Sequence, residues 1–124
     1  MIFNGVWVDS PVDLINWWRN QVGELPDGAE VKCHHMTSFF RPKGDQKDLP
    51  FGRNVFMRVI GFAHSEKVGA VAVECDIPSG NTVKHITVFV NGVSPAASNK
   101  LLANGFTEVD GPVLSGTVNF FDGR

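Results

Sequence analysis

The chain predicts an α+β fold in which antiparallel strands dominate and two short helices interrupt them. Three observations carry that reading. β-rich runs of seven to ten residues recur along the chain, turn-forming segments such as LPDG and PSGN separate them, and two Ser-Pro pairs each open a helix-like stretch. A length of 124 residues with 43% hydrophobic content suits one core, hence a single domain over residues 1–124.

The elements follow in order. Ile2–Val8 reads as a first strand. In SPVDLINWWRNQVG, Ser10 can cap, Pro11 suits the first helical position where no N–H is needed, and Asp13 sits near the positive end of the helix dipole. Gly23 is the stop. Val12, Ile15, Trp18 and Val22 fall at helical spacing, so this face should pack on a sheet, with Trp17 and Trp18 as packing groups. After LPDG, Val31–Phe40 reads as one strand, and the prolines, glycines and charges of RPKGDQKDLPFGR make a surface loop. Val55–Phe62, Val68–Ile77 and Val83–Val90, divided by HSEK and PSGN, form an antiparallel meander. SPAASNKLLANG is a second short helix ending in Asn-Gly, and Val113–Phe120 is the last strand.

Charge and composition narrow the function. A formal net charge of −2 does not suit a protein that holds long duplex nucleic acid by neutralising phosphates, although a short or cyclic phosphate fits. Cys33 and Cys75, each in an apolar run, read as reduced cysteines of a cytoplasmic protein rather than a disulfide framework. No basic region precedes an apolar segment at the N-terminus, and no apolar stretch approaches the roughly 20 residues of a membrane span, so no membrane partner is expected. Neither G-x-G-x-x-G nor a P-loop is present, which argues against nucleoside triphosphatase and dinucleotide chemistry.

The chemistry-bearing pattern is His-x-Thr, written once in KCHHMTSFF (Lys32–Phe40) and again in KHITVFV (Lys84–Val90). Residues i and i+2 of a strand share a face, so His35 pairs with Thr37 and His85 with Thr87, while Ile86, Val88 and Val90 form an apolar set on the opposite side. Adjacent or symmetry-related strands would place two imidazoles and two hydroxyls around one cleft. Two histidines near pKa 6.5 can divide the base and acid roles of phosphodiester hydrolysis, and two hydroxyls can donate to the non-bridging oxygens. A bell-shaped rate near neutral pH follows. His34 alternates to the other face and His64 lies in the HSEK turn, so neither joins the set. Cys33 shares the parity of His35, and a mixed site of Cys33, His35, Cys75 and His85 is the metal alternative; no compact ligand motif supports it, and neither metal nor other cofactor is expected.

Two His-x-Thr motifs on strands resemble the 2H phosphoesterase superfamily, whose motif is His, hydrophobic, Thr or Ser, hydrophobic. HITV at His85–Val88 matches all four positions, whereas His35, Met36 and Thr37 are followed by Ser38 where a hydrophobic residue is usual. More loosely, HHMT followed by HITVFVNGVSPAASNKLL is similar to the compact RNA-repair members, including cyclic phosphodiesterase domains of fungal tRNA ligases. The resemblance implies a bilobal fold around a central cleft, with His35 and His85 as acid and base and Thr37 and Thr87 as phosphate-binding hydroxyls. It implies a phosphodiesterase acting on a 2′,3′-cyclic phosphate or a related nucleotide or RNA-end phosphodiester; separately, a monomer is expected. A hydrolase of cyclic oligonucleotide messengers, or a non-catalytic nucleotide or RNA-end-binding module, is the alternative. Among further substrate contacts, Arg41 and Lys43 follow the first motif directly and can meet a phosphate. Phe39 and Phe89 share the parity of the two histidines and can stack a base in a chain without tyrosine.

Overall fold

The computed structural model describes residues 1–123. Its elements are β1 (Phe3–Val8), α1 (Pro11–Gln21), β2 (Glu30–Val31), β3 (His35–Phe40), β4 (Asn54–His64), β5 (Val68–Glu74), β6 (His85–Val90), α2 (Ala97–Ala103), β7 (Thr107–Glu108) and β8 (Val113–Phe121), with a 3-10 turn at Gly44–Lys47. All strand pairings are antiparallel, and they run β6-β3-β1-β8-β4-β5 before β5 returns to β6. Six strands therefore close a barrel, which leaves no long unpaired edge among the described residues. The two-residue β2 extends the ladder on β6 (Glu30↔Val90, Val31↔Phe89), and β7 lies beside the far half of β4 (Gly61↔Glu108, Phe62↔Thr107). The α+β class, the antiparallel pairing and the two helices are as expected, and β4-β5-β6 is the anticipated meander. The strands lie in one closed sheet, and their pairings do not divide it into two lobes.

The barrel is filled by alternate residues of its strands, among them Val6, Met36, Met57, Val59, Val71, Ile86, Val88 and Val118, all buried. Helix α1 adds Leu14 and Trp18 to the same cluster. Trp18 meets Phe62 and Phe89 edge-on at 6.0 Å each, the geometry that aromatic quadrupoles favour, so Trp18 is a packing group as its spacing suggested. Pro11 opens α1 as expected, but Ser10 caps it only through its carbonyl, which accepts from Asp13 N at 3.1 Å. Helix α2 packs separately, setting Leu102 against Ala70 and Ala72, whose small side chains let the helix lie close to β5.

Three local departures from regular strand geometry decide which side chains face the cleft. Val31–Phe40 is not one strand: it breaks between β2 and β3, where Cys33 takes a left-handed φ of 57°. In β3, Gly5 faces Thr37 and Asn4 faces Phe39, so Ser38 is an extra residue. In β6, Ala70 faces Thr87 and Gly69 faces Phe89, so Val88 is extra. Each bulge comes immediately after a motif threonine, and an inserted residue reverses the in-out alternation beyond it.

Candidate active site

Strands β3 and β6 are neighbours, joined by the ladder pair Met36↔Ile86. Both of these side chains are fully buried in the barrel, so the flanking residues on each strand turn outward. Those flanking residues are His35 and Thr37 on β3, and His85 and Thr87 on β6. Antiparallel direction sets His35 toward Thr87 and Thr37 toward His85, which gives the quartet a local two-fold axis through the Met36–Ile86 pair.

All four motif side chains line one cavity of about 550 Å³. Phe3 of β1 and Phe40 of β3 contribute apolar wall, Lys32 and His34 reach it from the break before β3, Asn81 comes from the β5–β6 loop, and Ser94, Pro95, Ala96 and Asn99 come from the start of α2. Among the described residues, no carboxylate lines the cavity, whereas one lysine and three histidines do. With Lys32 as its formally charged side chain, and with His35 and His85 able to gain a proton when an anion binds beside them, the lining favours an anionic ligand.

The two histidines sit in different surroundings. His85 is 8% exposed, and its Nδ1 lies 2.8 Å from the Val83 carbonyl. A carbonyl can only accept, so Nδ1 carries the hydrogen and Nε2 is left for the cavity. Burial lowers its pKa, and the Val83 hydrogen bond opposes that by favouring the imidazolium. His35 stacks with Phe3 at 4.8 Å and with Trp7 at 5.1 Å. Burial, helped by the positive neighbours His34, His85 and Lys32, pulls its pKa down to about 4. His35 is the free base of the pair, and His85 takes a proton the more readily.

The hydroxyls also differ. Thr87 Oγ1 lies 2.7 Å from Ser98 Oγ, and Ser98 is completely buried on α2. Thr37 has no side-chain hydrogen bond among the described residues, which leaves its hydroxyl available to a ligand. Its backbone carbonyl accepts from Ser79 Oγ at 2.9 Å, and Ser79 Oγ accepts from Asn81 N at 3.1 Å, so the loop carrying Asn81 is tied to the motif strand. Ser98 and Asn81 carry no signal in the sequence, because each reaches the site through tertiary packing. The Ser-Pro helix opening nevertheless places Ser98 one turn beyond Ser94.

The secondary contacts expected from the sequence are redistributed. Phe39 does not share the face of His35: the Ser38 bulge sets it opposite Asn4, and Phe40 takes its place on the cavity. Phe89 does not stack in the cleft either; the Val88 bulge turns it into the core, where it is 1% exposed against Trp18. Arg41 and Lys43 stay outside the cavity lining. The Arg41 guanidinium lies 5.4 Å from the centre of the Phe40 ring, and exposed Lys43 uses its backbone N–H to reach Gln46 Oε1 at 3.1 Å. The lysine on the cavity is Lys32, which also pairs with Glu30 at 2.8 Å. His34, expected on the opposite face, lines the same cavity because the Cys33 kink breaks the alternation. The same kink buries Cys33, whose thiol is pushed up to about 12, so it does not share the His35 face as the metal alternative required. Among the described residues, no three His, Cys, Asp or Glu side chains group as a metal set.

No protein-family model, curated protein or solved structure matches this chain significantly.

Proposed function

We propose that this protein hydrolyses a nucleotide phosphodiester in the β3/β6 cleft, with a terminal 2′,3′-cyclic phosphate as the leading substrate. One observation carries the reading: four side chains from two strands about fifty residues apart, two imidazoles and two hydroxyls, line a single cavity that has no carboxylate among its described lining residues. His35, the weaker proton binder, takes a proton from water as the water attacks phosphorus. His85, entering as imidazolium, gives its Nε2 proton to the departing ribose oxygen, and a phosphomonoester remains. The bound phosphate itself favours the charged form of His85, because an opposite charge within about 4–6 Å raises a histidine pKa. Thr37 and Thr87 donate to the non-bridging oxygens, Thr87 with its hydroxyl oriented by Ser98. None of these roles calls on a metal.

The likeness to 2H phosphoesterases rests on this quartet and its local two-fold; the two-lobed layout belongs to that likeness and not to the pairing of the strands. The cavity lies within the ~300–1,000 Å³ of small-ligand sites, room for a nucleotide. A non-catalytic nucleotide-binding module is the second reading, favoured by the lowered pKa of both histidines, which leaves them largely neutral at pH 7 in the free protein. Purified protein should be incubated, with and without exhaustive chelation, with cyclic mononucleotides, oligonucleotides ending in a 2′,3′-cyclic phosphate, and cyclic dinucleotides. Hydrolysis that survives chelation supports the proposal. Tight binding with no turnover of any substrate between pH 4 and 9 supports the module instead, and loss of turnover on chelation that zinc restores would overturn the metal-free mechanism.

A further inference from the structure

Three phenylalanines lie side by side across three neighbouring strands at the edge of the cavity. Phe3 of β1 faces Phe40 of β3 on one side and Phe121 of β8 on the other. Phe40 and Phe3 line the cavity, whereas Phe121 continues the row beyond it. Strands are about 4.8 Å apart, so the row runs about 10 Å across the sheet. Phe3 stacks on both His35 and Trp7 and meets Phe121 at 5.3 Å, which makes the aromatic surface continuous from the candidate base outward. Phe40 is 65% exposed and Phe121 37%; Phe51, Phe56 and Phe120 are exposed too, but they stand away from the cavity, whereas this row runs into it through Phe3 and Phe40.

Exposed rings in register are not needed for a core that is already full. Their surroundings carry cations that a nucleic acid can use: Arg41 lies over Phe40, and Lys32, which also pairs with Glu30 at 2.8 Å, stands on the cavity. The acid nearest the far end, Asp122, is paired with the N-terminal amine at 3.4 Å. Planar apolar faces alternating with cations suit a single-stranded oligonucleotide, whose bases stack while its phosphates meet the cations. We propose that the substrate is the end of a single-stranded oligonucleotide, not a mononucleotide, and that the Phe40–Phe3–Phe121 row stacks the bases adjoining the scissile phosphate. This rests on the hydrolytic reading of the cavity for its chemistry, and on the aromatic row alone for its substrate class.

The test compares a tetranucleotide ending in a 2′,3′-cyclic phosphate with the corresponding cyclic mononucleotide, in wild type and in Phe40→Ala, Phe121→Ala and the double variant. Both rings are surface-exposed, so these changes spare the core. Wild type should prefer the tetranucleotide in KM by about 10-fold or more, and the double variant should lose that preference; Phe121→Ala alone, whose ring lies outside the cavity, should lose part of it while kcat on the mononucleotide stays within twofold. Fluorescence anisotropy of a labelled, non-hydrolysable tetranucleotide gives a readout independent of chemistry. Ring-dependent binding without turnover would overturn the hydrolase reading and leave the oligonucleotide site standing. Equal KM for the two substrates in wild type, or tetranucleotide binding unchanged in the double variant, would overturn the oligonucleotide site. So would a wild-type dimer in light scattering that the double variant dissolves, since the row would then serve a second copy of the chain.

Discussion

At the scale of single residues, the assignment of His35 as base and His85 as acid makes two expectations concrete. His35→Ala and His85→Ala should each lower kcat by at least about 10²-fold, and the double variant should lose much less than the product, because both act on one transition state. Steady-state rates on the best substrate of the panel, with circular dichroism as a check on folding, decide this; full activity in either single variant would refute the pair. The pH profile follows from the directions of the two shifts. The productive free enzyme needs His35 neutral, which holds above about pH 4, and His85 protonated, which holds below a pKa that itself lies under 6.5. Hence kcat/KM should be bell-shaped with its maximum on the acid side of 6.5, not at neutrality as unperturbed imidazoles would give. The two limbs describe the coupled pair. A rate still climbing at pH 9 would mean hydroxide attack and would sink the mechanism. Ser98→Ala should be milder, lowering kcat several-fold by freeing the Thr87 hydroxyl, with Ser98→Thr restoring part of the loss.

At the scale of elements, the two bulges decide which side chains reach the cavity, and glycines accommodate them. Opposite the β3 bulge stands Gly5, where an added Cβ would collide with the Met36 carbonyl oxygen, a backbone atom that cannot swing aside. Gly5→Ala should therefore cost on the order of 1–3 kcal/mol or more, the usual penalty of overpacking, and lower the urea midpoint accordingly. An unchanged midpoint would mean that β1 and β3 are not in this register. The same bulges explain what could be read in advance. His35 with Thr37 and His85 with Thr87 were legible because strand alternation is reliable over three residues. Phe39 and Phe89 were not, because parity counted past Ser38 and Val88 gives the wrong face. The β4-β5-β6 meander and both helices announced themselves through turn chemistry and Ser-Pro openings. Barrel closure did not, since the β3–β6 and β1–β8 contacts join strands far apart in sequence and no local pattern encodes them. Nor did the break at Cys33 show, because a left-handed φ is advertised by glycine or asparagine and cysteine carries no such mark.

At the scale of the whole molecule, the site and the stability of the barrel draw on the same two imidazoles. Both are mostly buried, and both have folded-state pKa values below the roughly 6.5 of an unfolded histidine. Between pH 6.5 and about 4, the unfolded chain therefore binds more protons than the folded one at these positions. Stability must rise with pH across that window and fall as the pH drops through it. Glu30, held below the usual carboxylate range by its hydrogen bond to Lys32, loses its contribution only as the pH falls below that range, so the histidine contribution can be separated by window. The urea midpoint should be flat above pH 7 and decline steadily from 6.5 to 4. His35→Phe keeps an aromatic ring in the stack with Phe3 and Trp7 but removes the titration, so it should flatten part of that decline while abolishing turnover. A variant whose midpoint falls as steeply as wild type over this range would show that His35 is solvated and ordinary in the folded protein. It would remove with it the reason for placing the activity maximum on the acid side.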